Sequence, residues 1–301
     1  MRLSIKFTFF LLLLTSVVAD AQIQALNSKT QIRTMTERWE LDTTAIRGTF
    51  LLTPYKPIYI IAGKYSSNPN DQPHSENDSP EYIVPEGINY DNIELKFQLS
   101  FKTKVLQSFL WGKADLWIAY TQKSFWQVYN AELSRPFREI NYEPEVILNF
   151  PVKFKILGFN TRMVGIAFNH LSNGKSEPFS RSLNRFIVHA GFERKNWNIY
   201  VRSWYGMSDN DKDNPDISDY TGRADLNIIY AKNGNVFSFI GGYNMNFNSN
   251  PRGIAEFSWS YPIKNNLKAY LQVSHGYGES LIDYNHLQTN VGVGISLIEW
   301  L

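Results

Sequence analysis

The chain contains no cysteine among its 301 residues. This excludes a small exported domain held together by disulfides. It also lacks an excess of either charge, with 30 Lys and Arg against 28 Asp and Glu. The absence of a basic stripe argues against a nucleic-acid partner. Beyond Val18 there is no run of about eighteen apolar residues, so a transmembrane helix is not expected after the N-terminal stretch. That stretch reads as a leader. Arg2 to Lys6 is charged, Phe7 to Val18 is apolar, and Ala19-Asp20-Ala21 precedes Gln22. The pattern predicts a signal peptide over 1–21, too short for a retained helix.

What the chain has in plenty is aromatic residues: 17 Tyr, 20 Phe and 8 Trp. An exported, aromatic-rich, cysteine-free chain of moderate polarity fits an outer-membrane β-barrel, whose alternating strands are invisible to hydropathy windows. Segments of period-two character support this. They fall at 55–65, 92–106, 114–127, 143–156, 161–173 and 182–194, then at 197–207, 222–233, 235–247, 252–263, 267–278 and 288–300. The expected fold is therefore all-β, a twelve-stranded antiparallel transmembrane barrel over 55–301.

The connections alternate in length, which is the outer-membrane signature. Ser66–Asp91, Tyr129–Tyr142 and Met207–Gly222 are long, whereas Lys195-Asn196, Asn233-Gly234 and Lys264–Asn266 are tight turns. Long loops belong outside and short turns in the periplasm. Residues 22–54 show no alternation and are expected to form an N-terminal periplasmic extension. The Pro/Asn/Ser tract at 66–80 reads as a solvated loop.

The stretch FNHLSNGKSEPFSRSLNR, residues 168 to 185, concentrates polar groups at the outer end of the fifth strand. By parity Val164, Ile166, Phe168, His170 and Ser172 share the lipid face, with Gly165, Ala167, Asn169, Leu171 and Asn173 on the lumen face. On the sixth strand Ser182, Asn184, Phe186, Val188, Ala190 and Phe192 face lipid. Arg185, His189 and Glu193 face the lumen, with Leu183 and Ile187 as apolar exceptions. His170, Ser172 and Asn184 thus converge where polarity is costly.

Two residues apart on a strand, His170 and Ser172 lie roughly 6.6 Å apart at Cα. The imidazole can take the serine proton, and the Asn184 amide oxygen can accept the far ring N–H. A neutral third member avoids an unpaired carboxylate at a lipid-facing site. The backbone N–H groups of Ser172 and Gly174 are candidate oxyanion donors. Ser134 and Ser180, with nearby carbonyls, offer neutral oxygens suited to Ca2+ with water completing the shell. On the residues alone the bland reading stands beside this one. His-x-Ser is common on strands, and Asn-Gly with Pro178 is ordinary hairpin punctuation.

NHLSNGKSEPFSRSLNR resembles the signature of the outer membrane phospholipase A family. Further similar segments follow in the same order along the chain. They are YTQKSFWQ (120–127), SRPFREINYEPE (134–145), DNPDI (213–217), GYGESLIDYN (276–285) and VGVGISL (291–297). The resemblance spans roughly residues 90–301. It implies Ser172 as nucleophile, His170 as base and Asn184 as the residue that orients the ring. It also implies an active homodimer with Ca2+ near the oxyanion hole. The ligands would be Ser180, the carbonyl of Lys175 and Ser134 from the neighbouring subunit. Gln122 matches the family's polar dimer-interface residue, and its parity with Leu116, Ile118 and Tyr120 puts it on the lipid face.

The chain departs from the family at Leu171 and Glu177, where aspartates are usual, and at Lys175, where arginine is. Glu177 puts a second calcium site in doubt. The chain ends Trp300-Leu301 rather than on the aromatic. The resemblance implies Ca2+-dependent hydrolysis of sn-1 and sn-2 acyl esters of membrane phospholipids, from an outer-membrane site near the outer leaflet. A non-enzymatic barrel, a small porin or fatty-acid channel, would instead have a wide, charge-lined lumen. A secreted soluble β-sandwich hydrolase is the third reading.

Other titratable residues have simpler expectations. His189 belongs to a lumen network with Arg185 and Glu193. His275 and His286 flank the last outer loop, and His74 lies in a solvated one. Glu279 and Asp283 hold a loop, and Asp213 and Asp216 are secondary Ca2+ candidates. Trp126, Trp204 and Tyr205 are expected in interfacial girdles.

Overall fold

The computed structural model describes residues 33–207, 213–246 and 251–298. The leader and the Trp300-Leu301 terminus lie outside the described residues. Among those described, twelve strands form the barrel wall. They are β1 (Ile58–Ser66), β2 (Ile93–Ser108), β3 (Ala114–Trp126), β4 (Glu139–Ile156), β5 (Phe159–Ser172), β6 (Ser182–Arg194), β7 (Trp197–Met207), β8 (Ala224–Lys232), β9 (Asn235–Tyr243), β10 (Gly253–Lys264), β11 (Leu267–Gly276) and β12 (Gln288–Ile298). Each pairs antiparallel with its sequence neighbours, and β12 pairs with β1, which closes the sheet without an edge.

Alternation, interrupted at bulges such as the one between Ile61 and Lys64, produces two unlike walls. Ile118, Val146, Ile166, Phe168, Phe186, Val188 and Val293 are exposed on the outside. Inside, Lys64, Lys96, Lys102 and Lys104 are each at most 2% exposed. Buried charge is tolerable only when paired and hydrogen-bonded, and most of it is paired here. Lys96 Nζ lies 2.7 Å from Glu279, Lys64 Nζ 3.0 Å from Glu94, and Lys104 Nζ 2.9 Å from both Glu40 and Asp115. The lumen is filled by these side chains. Gly165 shows how tightly: a Cβ there would sit 2.4 Å from the Leu148 carbonyl oxygen and 2.6 Å from His189 Nε2.

The described part of the N-terminal segment folds into the short-turn end of the lumen. Helix α1 (Met35–Trp39) starts with a capping box, in which the Glu37 N–H donates to Thr34 Oγ1 and the Thr34 N–H donates to Glu37 Oε2. Met35, Trp39 and Leu41 pack against Trp117, Ile147, Met163, Ile187 and Trp204. Trp204, expected in a girdle, instead points inward and is 7% exposed. Its aromatic identity did not reveal its face. A two-residue strand, Thr53–Pro54, continues this segment along β2.

The opposite end is closed by long loops. Within the 66–80 tract, expected to be solvated, Asn70 and Ser75 are buried, and Asn70 Nδ2 donates to Asp283 at 3.1 Å. Arg138 bridges Glu94 at 2.8 Å and Asp283 at 3.1 Å. Leu281 and Ile282 N–H groups donate to Asn141 and Glu139. Polar composition concealed a folded cap. His74 remains exposed.

Candidate active site

The register of β5 against β6 makes His170 the Cα partner of Asn184, and Ser172 the partner of Ser182. Both site strands carry Phe residues just below, Phe168 and Phe186, on the exposed outer wall. His170, Ser172 and Asn184 therefore occupy the margin of the apolar wall at its long-loop end, each partly exposed. His170 Nδ1 and Asn184 Oδ1 lie 2.7 Å apart. An amide oxygen only accepts, so Nδ1 carries the proton and Nε2 presents its lone pair. Ser172 follows two residues along the same face. Its hydroxyl makes no hydrogen bond to His170 among the described residues, and the Oγ–H is a free rotor.

The connection 173–181 forms a shelf beside this trio. The Asn173 N–H donates to the Arg181 carbonyl at 3.1 Å, and the Arg181 N–H to Asn173 Oδ1 at 3.0 Å. Asn173 Nδ2 donates to the Phe179 carbonyl at 2.7 Å. Gly174 sits at φ +65, a conformation that suits glycine, with the Tyr142 ring 3.3 Å from where a Cβ would stand. Tyr142, on β4, is also the Cα partner of Ser172. The Lys175 ammonium turns toward β4, 2.5 Å from the Arg138 carbonyl and 3.3 Å from Glu139.

The Ser180 hydroxyl donates to Asp213 Oδ2 at 2.5 Å, while the Tyr82 hydroxyl donates to Asp213 Oδ1 at 2.6 Å. The Asp213 hydrogen bond, with burial, pushes the Tyr82 phenol well above its usual range. Asp216 is engaged elsewhere, accepting from Tyr284 at 2.6 Å. Among the described residues no three His, Asp or Glu side chains converge as a metal cluster. The oxygens here differ in kind: a serine hydroxyl, the carboxylate it donates to, and the Pro178 and Ser180 carbonyls that accept from Arg181 Nη1. Hard oxygens of this sort fit a loosely held Ca2+. Ser134 lies on another loop, where its carbonyl accepts from Trp126 Nε1 at 2.6 Å.

On the outer wall of β3, Gln122 accepts from the Tyr120 hydroxyl and donates to Ser124 Oγ, each at 3.0 Å. A polar row thus runs along an otherwise apolar face. Within the lumen, His189 lies 3.2 Å from Asn149. His275 pairs with Thr289 on the outside, and His286 with the Asn68 carbonyl. Glu279 and Asp283 are committed to Lys96 and Arg138. Glu143 was missed by sequence reading. It comes from β4, and only the pairing of β4 with β5 brings it behind the site.

Known proteins of similar sequence share this architecture. The family described as phospholipase A1 matches residues 35–297. Phospholipase A1 of Escherichia coli K12 is 40% identical over 268 residues, covering 85% of this chain and 89% of that one. The Salmonella typhi outer membrane phospholipase dimer, solved with bound calcium, superposes with a TM-score of 0.77 at 38% identity. That match covers 90% of this chain and all of the other. An active-site mutant of E. coli outer membrane phospholipase A, with asparagine replaced by alanine, also has a TM-score of 0.77, at 38% identity, and the match covers 89% of this chain and 100% of that one. With its closed twelve-stranded barrel and its match along nearly the whole described chain, this protein belongs to the phospholipase A1 family of outer membrane phospholipases.

Proposed function

We propose that the protein is an outer-membrane phospholipase that hydrolyses acyl esters at sn-1 and sn-2, lysophospholipids included, with Ser172, His170 and Asn184 as its catalytic groups. The observation that carries this is the 2.7 Å contact between His170 Nδ1 and Asn184 Oδ1, on the outer wall and two residues from Ser172. The asparagine active-site mutant of the E. coli relative supports a role for the amide.

Ser172 Oγ attacks the ester carbonyl carbon as its proton passes to His170 Nε2. Asn184 holds the imidazolium in place through its amide oxygen, orienting it without adding charge. The Ser172 and Gly174 N–H groups donate to the developing oxyanion. Collapse expels the lysophospholipid alkoxide, which takes the proton from His170. Water, deprotonated by the same nitrogen, then attacks the acyl-serine carbonyl. Collapse breaks the bond to Ser172 Oγ, which takes the proton back from His170 as the fatty acid leaves. When bound by Ser180, the Lys175 carbonyl and Ser134 of a neighbouring copy, Ca2+ would supply positive charge beside that oxyanion. The shared ligand set makes the homodimer the active form, with Gln122 in its interface. The calcium-bound dimer of the S. typhi relative supports both points.

The channel reading calls for a wide lumen, whereas charged side chains fill this one and loops cover its mouth. A soluble sandwich is incompatible with a closed sheet. The test is acyl-ester release in detergent, with Ca2+ or with chelator, by wild type and Ser172→Ala. Hydrolysis should need both Ca2+ and Ser172. Full activity in Ser172→Ala would overturn the mechanism.

A further inference from the structure

Behind the His170–Asn184 hydrogen bond, on the lumen side of the same two strands, lies a second and fully buried contact. Asn169 and Arg185 are Cα partners, one residue removed from the His170 and Asn184 pair. Consecutive strand residues point to opposite faces, so one pair meets lipid and the other the lumen. Arg185 Nε donates to Asn169 Oδ1 at 2.8 Å, and Arg185 Nη2 donates to Glu143 Oε1 at 2.9 Å. Asn169 Nδ2 donates to the same Glu143 oxygen at 3.2 Å. Three side chains from three adjacent strands thus close a triangle. Its other charges are satisfied as well. Lys56 Nζ lies 2.6 Å from Glu143 Oε2, and the Arg185 guanidinium sits 5.1 Å from the Trp204 ring centroid.

We propose that Glu143, Arg185 and Asn169 are positioning residues that hold β4, β5 and β6 in the register required by the outward-facing site. The proposal rests on the reading of His170, Ser172 and Asn184 as the hydrolytic groups. A one-residue slip of β5 would turn His170 into the lumen. Apolar side chains on the lipid wall are non-directional and cannot prevent smaller shears. Charge-assisted hydrogen bonds shielded from water are both directional and strong. Glu143 extends the brace to the third strand, where its neighbour Tyr142 stands opposite Ser172. The triangle therefore fixes all three strands that carry or flank the reacting groups.

The experiment compares wild type, Asn169→Ala, Glu143→Gln combined with Arg185→Met, Ser172→Ala, and the control Asp115→Asn, all purified with Ca2+ in detergent. Asp115 pairs with Lys104 at the far end of the lumen, 2.9 Å away. Displacement of reacting groups by about 1 Å costs on the order of 100-fold in rate. Asn169→Ala and the double variant should lose about 10- to 100-fold in kcat with KM little changed. In histidine-labelled protein the hydrogen-bonded Nδ1–H signal of His170 should broaden or shift in step. Asp115→Asn should lower thermal stability while keeping kcat and that signal. Should the double variant fail to fold, Asn169→Ala, which leaves the Arg185–Glu143 pair intact, decides alone. A kcat within about twofold of wild type in Asn169→Ala, with Ser172→Ala inactive, overturns the brace and leaves the hydrolytic reading intact. Equal kcat losses in Asp115→Asn would also overturn it, as a general effect of destabilisation. An active Ser172→Ala would remove the reading and the brace together.

Discussion

Lys102 Nζ lies 3.2 Å from the centroid of the Trp39 ring, at the short-turn end of the lumen. Lys102 is 1% exposed, and its ammonium has no hydrogen-bond acceptor among the described residues. The rings of Trp39 and Trp117 flank it, with centroids 3.2 and 4.9 Å from Nζ. Taking an unpaired ammonium out of water costs several kcal/mol. The ring face returns about 2 kcal/mol of that, and the contact ties the N-terminal segment to the β2 wall.

Replacing Trp39 should therefore loosen the barrel from within. Trp39→Ala should cost about 3–5 kcal/mol, as for other buried large aromatics. Trp39→Phe keeps a ring over Lys102 and should cost less than Trp39→Leu, which fills the space without one. Heat-dependent gel mobility of the folded barrel, titrated against temperature, reads the order. Equal midpoints for Phe and Leu would remove the cation from the account.

Asn184→Ala leaves His170 Nδ1–H without its acceptor. The ring then loses its fixed tautomer and orientation, and kcat should fall by about 100-fold or more, with KM little affected. Asn184→Asp restores an acceptor but places a carboxylate on the lipid wall. It should recover part of the rate at neutral pH and less at low pH. Steady-state kinetics on a short-chain ester in detergent separates the two.

Acid should unfold the loop cap from the carboxylates outward. Burial alone would raise the Glu279 carboxyl, but the Lys96 ammonium outweighs it and holds the group down at about 2. Asp283, likewise buried, is held below the usual range by Arg138 and the Ser280 hydroxyl. A carboxylate whose folded pKa lies below its unfolded value stabilises fully above the unfolded value, about 4.3. That contribution drains away as pH falls from there toward about 2. Denaturant midpoints should hold steady from pH 7 to about 5 and drop steeply below about 4. In Glu279→Gln the drop should be shallower, from a lower starting point.

Gly165 has no room for a side chain, because its Cβ would stand 2.4 Å from the Leu148 carbonyl oxygen. Gly165→Ala should destabilise by about 1–3 kcal/mol through forced separation of β4 and β5. Since Ile166 to His170 follow directly, kcat should fall together with the unfolding midpoint. A stable Gly165→Ala barrel with full activity would show that the two strands yield there without cost.

Strand parity made most of the wall legible, because lipid and lumen demand opposite chemistry at successive positions. Phe168, His170 and Ser172 could be placed outside and Asn169 inside from their order alone. Trp204 could not be placed, since an indole is at home in a membrane interface and equally against Arg185 in a lumen. Met35 to Leu41 carried no readable period, because its partners come from β3 to β7 and not from an adjacent strand. The Asn70 and Asp283 contact was hidden for the same reason, in loops whose polarity mimics solvation.

The inserted N-terminal segment also has a bearing on assembly order. Trp39 donates to the Tyr200 hydroxyl, 161 residues further along the chain. The cluster around Trp39 draws on β3 to β7, so it is complete only when the seventh strand exists. Contacts of such separation form late, since the loop between them must close first. Residues Met35 to Leu41 consequently reach their full set of contacts late, although they precede every strand of the wall in the chain. Until then Met35 and Trp39 lack part of the surface that buries them in the finished barrel, where Trp204 of β7 completes the cluster.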